Sequence, residues 1–229
     1  MKKGRMPIVL ILFYTFLFNA RCFAFFSGSD TTAVYKQNPN YWLQTGLYNI
    51  YRTQHAGVLM LGNSITHGVN WNELMGRTDI VERGIPSDIV EGFLSRLDYV
   101  FKLNPKVCFI MGGINDIYSG YSAETVFTEY VKLIRELQKH NIIPVIQSTL
   151  LVSEKWHNAH DKNPEVNKLN MMLRSYAEKN NLTFVDLNSK MTQNGLLRNE
   201  LTYDGLHLNA NGYAIWREEL DPILNKLTR

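Results

Sequence analysis

Five short apolar runs, separated by stretches long enough for a helix, constrain this chain more than any other feature of its sequence. They are Val58–Leu61, Ile80–Val81, Val107–Met111, Ile142–Ile146 and Thr183–Val185. Each reads as a buried strand. Strands joined by helical crossovers pair in parallel, with helices on both faces of the sheet. The pattern predicts a single three-layer α/β/α domain with a five-stranded parallel sheet. Helices are expected at Pro39–Gln54, Asp88–Leu97, Glu124–His140, Pro164–Lys179 and Ala210–Leu227. In Glu124–His140, residues Val126, Phe127, Tyr130, Val131, Ile134 and Leu137 share one face and Ser122 can cap the start. Pro164 is expected in a first turn, where its missing N–H does no harm. A chain of 229 residues buries roughly 70% of its unfolded surface, enough for a core without disulfides or metals.

The N-terminal segment follows a different logic. Lys2, Lys3 and Arg5 precede an apolar run, Met6 to Phe18, and Cys22-Phe23-Ala24 suits a cleavage site. Residues 1–24 are therefore expected to be a signal peptide cut after Ala24, followed by a flexible lead-in over 25–38 and the folded domain over 39–229. The run is too short for a spanning helix and is interrupted by Asn19 and Arg21. Secretion or periplasmic export is thus expected, without stable membrane insertion after cleavage. The segment carries four of the 24 basic residues and no acid. What remains is close to neutral, which argues against a nucleic-acid partner. Only Cys108 survives cleavage, so no intrachain disulfide is available.

In an open parallel sheet, ligands bind where loops leave the carboxyl ends of the strands. The first strand is followed by Gly62-Asn63-Ser64-Ile65-Thr66, the second by Glu82-Arg83-Gly84-Ile85, and the third by Gly112-Gly113-Ile114-Asn115-Asp116. Past the fifth comes Asp204-Gly205-Leu206-His207. A serine hydroxyl is a weak nucleophile until a neighbouring imidazole takes its proton, and His207 is the candidate base. Asp204 can accept from the imidazole and stabilise the imidazolium. The oxyanion of a tetrahedral intermediate needs donors, and the N–H groups of Ser64 and Gly84 with the Asn115 amide are the candidates.

Those four blocks, in that order, resemble the SGNH (GDSL-like) hydrolase family across residues 58–213. The likeness extends to bacterial secreted esterases that deacetylate sugars, and to the platelet-activating-factor acetylhydrolase branch through Asp204-Gly205-Leu206-His207-Leu208 and Gly212-Tyr213. The resemblance implies a flavodoxin-like fold and ester hydrolysis without a metal or organic cofactor. It also implies Ser64, Gly84, Asn115 and His207 as the four family positions, with Asp204 completing the triad. One departure stands out: the family's usual aspartate before the nucleophile is Asn63. An asparagine can still accept a local backbone hydrogen bond. The α/β-hydrolase elbow, Gly-x-Ser-x-Gly, does not fit, because Thr66 replaces the second glycine.

Asn63, His67, Trp71, Asp116 and His157 are candidate substrate contacts. Trp71 can stack on a sugar or pack in the core, and Asp116 can cap a helix or position Asn115. His157, His160 and Asp161 share an expected loop, Ser153 to Asn163, that matches no strong zinc pattern. The expected substrate is a small-molecule or carbohydrate ester with a short acyl group. Three rivals remain open: a lysophospholipid or lipid-ester hydrolase, a sugar O-acyltransferase, and a non-catalytic carbohydrate-binding protein on the same fold.

Overall fold

A computed structural model describes residues 33–228; the expected signal peptide and residues 25–32 of the lead-in lie outside the described residues. The elements run Pro39–Ile50 (α1), Val58–Gly62 (β1), Ser64–His67 (α2), Trp71–Met75 (α3), Ile80–Gly84 (β2) and Val90–Ser95 (α4). They continue with Asp98–Phe101 (α5), Val107–Met111 (β3), Ile114–Tyr118 (α6), Ala123–Lys139 (α7) and Ile143–Gln147 (β4). Ala159–Lys179 (α8), Thr183–Val185 (β5), Asn188–Met191 (α9) and Ala210–Leu227 (α10) complete them.

The sheet is parallel with strand order β2-β1-β3-β4-β5. Right-handed crossovers then send the β1-to-β2 connection to one face and the later connections to the other. The contacts agree, since α7 packs on α4 and α8 while α10 packs on α3 and α9. Every residue of β1 and β3 is buried, as central strands covered on both faces require. The order reverses between β1 and β3, and in open parallel sheets ligands bind outside the carboxyl ends of the strands at such a switch point. Gly62 lies level with Gly84 on one side and Met111 on the other.

The five-stranded α/β architecture is as expected; several boundaries move. β2 runs on to Gly84, so Glu82 and Arg83 are strand residues. Arg83 hid this strand: it is buried because its guanidinium lies 4.4 Å from the Tyr48 ring and 5.8 Å from that of Tyr51. α1 stops at Ile50 rather than Gln54, with Tyr51 in extended backbone. Within the expected lead-in, Val34–Gln37 makes a 3-10 turn, and the Tyr35 ring sits 4.9 Å from that of Tyr41.

The helix expected over Asp88–Leu97 is shorter, Val90–Ser95, and α5 follows it separately. α7 is as read, with Ser122 Oγ accepting from Thr125 N. α8 begins five residues before Pro164, which therefore stands inside the helix. The proline removes one i→i−4 bond, from the carbonyl of His160, whose exposure leaves that oxygen to water. His160 and Asp161 consequently belong to the first turn of α8 and not to a loop.

Candidate active site

Ser64 reaches the sheet edge through local backbone chemistry. β1 ends at Gly62, where a Cβ would lie 2.0 Å from Thr66 Oγ1 and 2.7 Å from the Met111 carbonyl, so only glycine fits this tight exit. Asn63 is fully buried and its side-chain oxygen accepts from Ile65 N at 3.0 Å, capping α2. It does the local capping work open to an asparagine, and its burial rules out the substrate contact expected of it. Ser64 then occupies the first helical position, where a backbone N–H has no intrahelical acceptor.

His207 and Asp204 sit in the turn before α10. Asp204 Oδ1 accepts from the backbone N–H groups of Leu206 (2.9 Å) and His207 (2.7 Å). Its Oδ2 lies 2.6 Å from His207 Nδ1, and His207 Nε2 lies 3.0 Å from Ser64 Oγ. With the Nδ1 proton directed at Asp204, Nε2 is the nitrogen free to accept from the serine. Burial raises the Asp204 carboxyl, but the bonds from the His207 ring and from the Leu206 and His207 N–H groups outweigh it and hold the pKa below the ordinary range. Gly205 is left-handed at φ 101°, and a Cβ there would come within 2.8 Å of Trp156 N. The turn is joined to the 148–158 segment by Ser153 N donating to the Gly205 carbonyl at 2.8 Å.

Helix α10 fixes the turn against α2. Asn209 caps it through Asn211 N and Gly212 N, and Tyr213 donates its hydroxyl to the Ile65 carbonyl at 2.7 Å. The Trp216 indole donates to Gln147 Oε1 at 2.6 Å and packs edge-on against Trp71, centroids 5.0 Å apart. Trp71 is only 2% exposed and donates to the Thr66 carbonyl. It is therefore core, not a sugar-stacking residue.

On the other side of Ser64, Asn115 follows β3 and donates its amide to the Asp88 carbonyl at 2.8 Å, leaving its second amide hydrogen available. Asp116, its neighbour, is buried, and Oδ1 accepts from Val90 N at 3.1 Å. Burial pushes its pKa up to about 7. Its role is to cap α4 from across the loop, and it is inaccessible to substrate. Gly84 also departs from expectation. Its N–H already donates to the Glu82 carboxylate and its carbonyl accepts from the Tyr48 hydroxyl, so this donor is engaged. Nearby, Ser87 is held at φ 62° after Pro86, in a turn closed by Asp88 N bonding the Ile85 carbonyl. A non-glycine in that conformation is strained and belongs to the small class found at functional sites.

His67, one turn beyond Ser64, stands at the rim with Nδ1 3.5 Å from Glu82 Oε2, and its hydrogen bond to that carboxylate raises its pKa. His157 does not meet His207 directly: Trp156 lies beside both rings, 5.0 Å from His157 and 6.4 Å from His207. Two rim aromatics had no signal in the sequence reading. Trp156 meets His207 edge-on, and Tyr203, 68% exposed, lies nearly parallel to His207 at 5.8 Å. Also unread was Arg96, fully buried against Asp88. Among the described residues no cluster of three or more His, Cys, Asp or Glu could hold a metal ion.

Residues 60–215 match the model of the GDSL-like lipase/acylhydrolase family. The fold resembles that of a Bacteroides fragilis protein assigned as an acylhydrolase, with a TM-score of 0.73 and 26% identity over 84% of this chain and 98% of the other. An acetyl xylan esterase is similar at TM-score 0.63 and 26% identity, covering 73% of this chain and 98% of that one. In sequence, 117 residues, half of this chain, are 31% identical to N-acylneuraminate cytidylyltransferase of Streptococcus agalactiae, of which they span 27%. The chain thus spans about a quarter of the curated relatives it matches.

Proposed function

We propose that this chain, which belongs to the GDSL-like lipase/acylhydrolase family, is an ester hydrolase that removes short acyl groups, acetyl above all, from carbohydrates through Ser64. The observation that carries this reading is the unbroken contact chain Asp204 Oδ2, His207 Nδ1, His207 Nε2, Ser64 Oγ. His207 takes the serine proton as Oγ attacks the acyl carbon. Asp204 stabilises the imidazolium, which then protonates the departing sugar oxygen. Water repeats the sequence on the acyl-enzyme and releases the acid. The Ser64 N–H and the free Asn115 amide hydrogen receive the oxyanion, and the Gly84 N–H can join them once Glu82 lets it go.

The carbohydrate part rests on two supports. The named similarities include an enzyme acting on acetylated xylan and one acting on an N-acylated sugar acid. Tyr203 and Trp156 flank His207, where a sugar ring leaving the acyl carbon would lie, and flat aromatic faces suit the apolar face of such a ring. The test is hydrolysis of p-nitrophenyl acetate, butyrate and octanoate by the wild type and by Ser64→Ala. Activity should fall with acyl length and drop by roughly 10⁴-fold or more in the mutant. A wild type no faster than Ser64→Ala on all three esters would defeat the reading.

A further inference from the structure

We propose that the buried Arg96–Asp88 pair is a positioning strut that sets the distance between Ser64 and the Asn115 amide. This rests on the reading above, in which that amide receives the oxyanion. Arg96 lies just past α4 with its side chain fully buried, as is that of Asp88. Its guanidinium points in three directions. Nε donates to Asp88 Oδ2 at 2.8 Å, Nη1 to the Arg83 carbonyl at 2.8 Å, and Nη2 to the Gly62 carbonyl at 2.9 Å. Gly62 stands two residues before Ser64, and Arg83 immediately before Gly84. Asp88 in turn offers its backbone carbonyl to Asn115, while its Oδ1 accepts from Ile89 N. One planar group therefore ties the end of β1, the end of β2 and, through Asp88, the first turn after β3.

Stability alone is a poor account of such a pair. Sealing two charges from water is expensive, and apolar side chains of the same volume commonly serve a core as well or better. A rigid, planar fork that no other side chain reproduces supplies geometry instead. Lysine can keep the charge and reach one acceptor, but it cannot hold three acceptors in one plane. Neither residue touches the place where substrate binds, so both act through Ser64 and Asn115.

The test measures kcat and KM for p-nitrophenyl acetate at 25 °C with the full chain, counting active sites by fluorophosphonate labelling so that unfolded protein is not scored. Arg96→Lys should lower kcat per labelled serine by about 10- to 100-fold, the scale of a small misplacement, with KM changed by less than about threefold. Asn115→Ala alone should cost about 10²–10³. In that background Arg96→Lys should add little, because the amide it positions is gone. Leu137→Ala, buried near the C-terminal end of α7, is the destabilised control: it should lower Tm and leave kcat per labelled serine unchanged. If Arg96→Lys does not fold, Asp88→Asn reads the same strut with the same expectations.

A kcat per labelled serine equal to wild type, or losses that multiply fully with Asn115→Ala, would overturn the strut. So would failure of both variants to fold, which would assign the pair to stability. A wild type that neither takes the probe nor turns over ester removes the catalytic reading itself, and the strut with it. A wild type that labels normally confines any failure to the strut.

Discussion

Asp204 and Asp88 each hold a nitrogen at close range, 2.6 Å for His207 Nδ1 and 2.8 Å for Arg96 Nε. The first pair is open to solvent, its side chains 29% and 27% exposed; the second is sealed at 0% and 0%. Burial pushes the Asp88 carboxyl up against the pull of Arg96, whereas hydrogen bonds hold Asp204 down despite its burial. The decisive difference lies in the partner. A guanidinium does not release its proton in a protein, while an imidazole gains and loses one near neutrality. The same contact therefore does two jobs: the sealed pair fixes distances and moves no proton, and the open pair can move one.

The strongest way to break that contrast is Asp204→Asn. The amide keeps the size of the side chain and can still accept from Leu206 and His207, but it loses the charge that steadies the imidazolium. We expect kcat to fall by about 10³–10⁴ with little change in Tm. A loss below tenfold would remove Asp204 from its assigned role.

Asp116 offers the next test, being a sealed carboxylate with no cation. Its Oδ2 is buried and has no hydrogen-bond partner. Its pKa of about 7 in the folded chain exceeds the ordinary value of roughly 3.9 in the unfolded one. The folded state then binds more protons between those values, so this group lowers stability as pH rises from about 4 to 7, and the full penalty applies above that window. Asp116→Asn should be more stable than wild type at pH 8 by a few kcal/mol and no more stable at pH 4, as read by thermal unfolding. An equal Tm difference at both pH values would contradict this.

The smallest effect sharpens the open side. His67 is a second rim histidine beside a carboxylate, and Glu82 raises its pKa. Replacing Glu82 with Gln should move the His67 titration, followed by NMR, downward. The stabilisation from this pair is present at low pH and is lost as pH rises through the folded His67 value. A titration unmoved by the substitution would show that the carboxylate does not reach the ring in solution.

How much of this was legible depended on how local the cause was. The meeting of Ser64, Asp204 and His207 could be read because each lies in a short segment whose own turn chemistry aims it, and because the strand rhythm places those segments at one edge. β1 and β3 were legible for the same reason, being apolar throughout. β2 was cut short because Glu82 and Arg83 look like loop residues, and the burial of Arg83 involves Tyr48 and Tyr51 more than thirty positions upstream. The start of α8 was hidden because Asn158 enters left-handed and makes no side-chain cap bond, so Pro164 supplied a false boundary. Trp71 offered no sign of which way it faced until Trp216 was placed beside it. Arg96 looked like any arginine ending a short helix, and nothing in its neighbourhood marks a side chain that bonds β1, β2 and Asp88 together.

The contact between Ser64 and His207 bridges 143 positions of sequence, and α10 clamps it through Tyr213 and Trp216. That separation is also an interval of time. At synthesis rates of about 5–20 residues per second, the serine is made roughly 7–30 s before the histidine exists. Throughout that interval the proposed nucleophile is an ordinary alcohol in the company of the cell's own esters. In the proposed mechanism arming therefore waits on the late docking of α10, and a nascent chain broken off before residue 207 would lack the base.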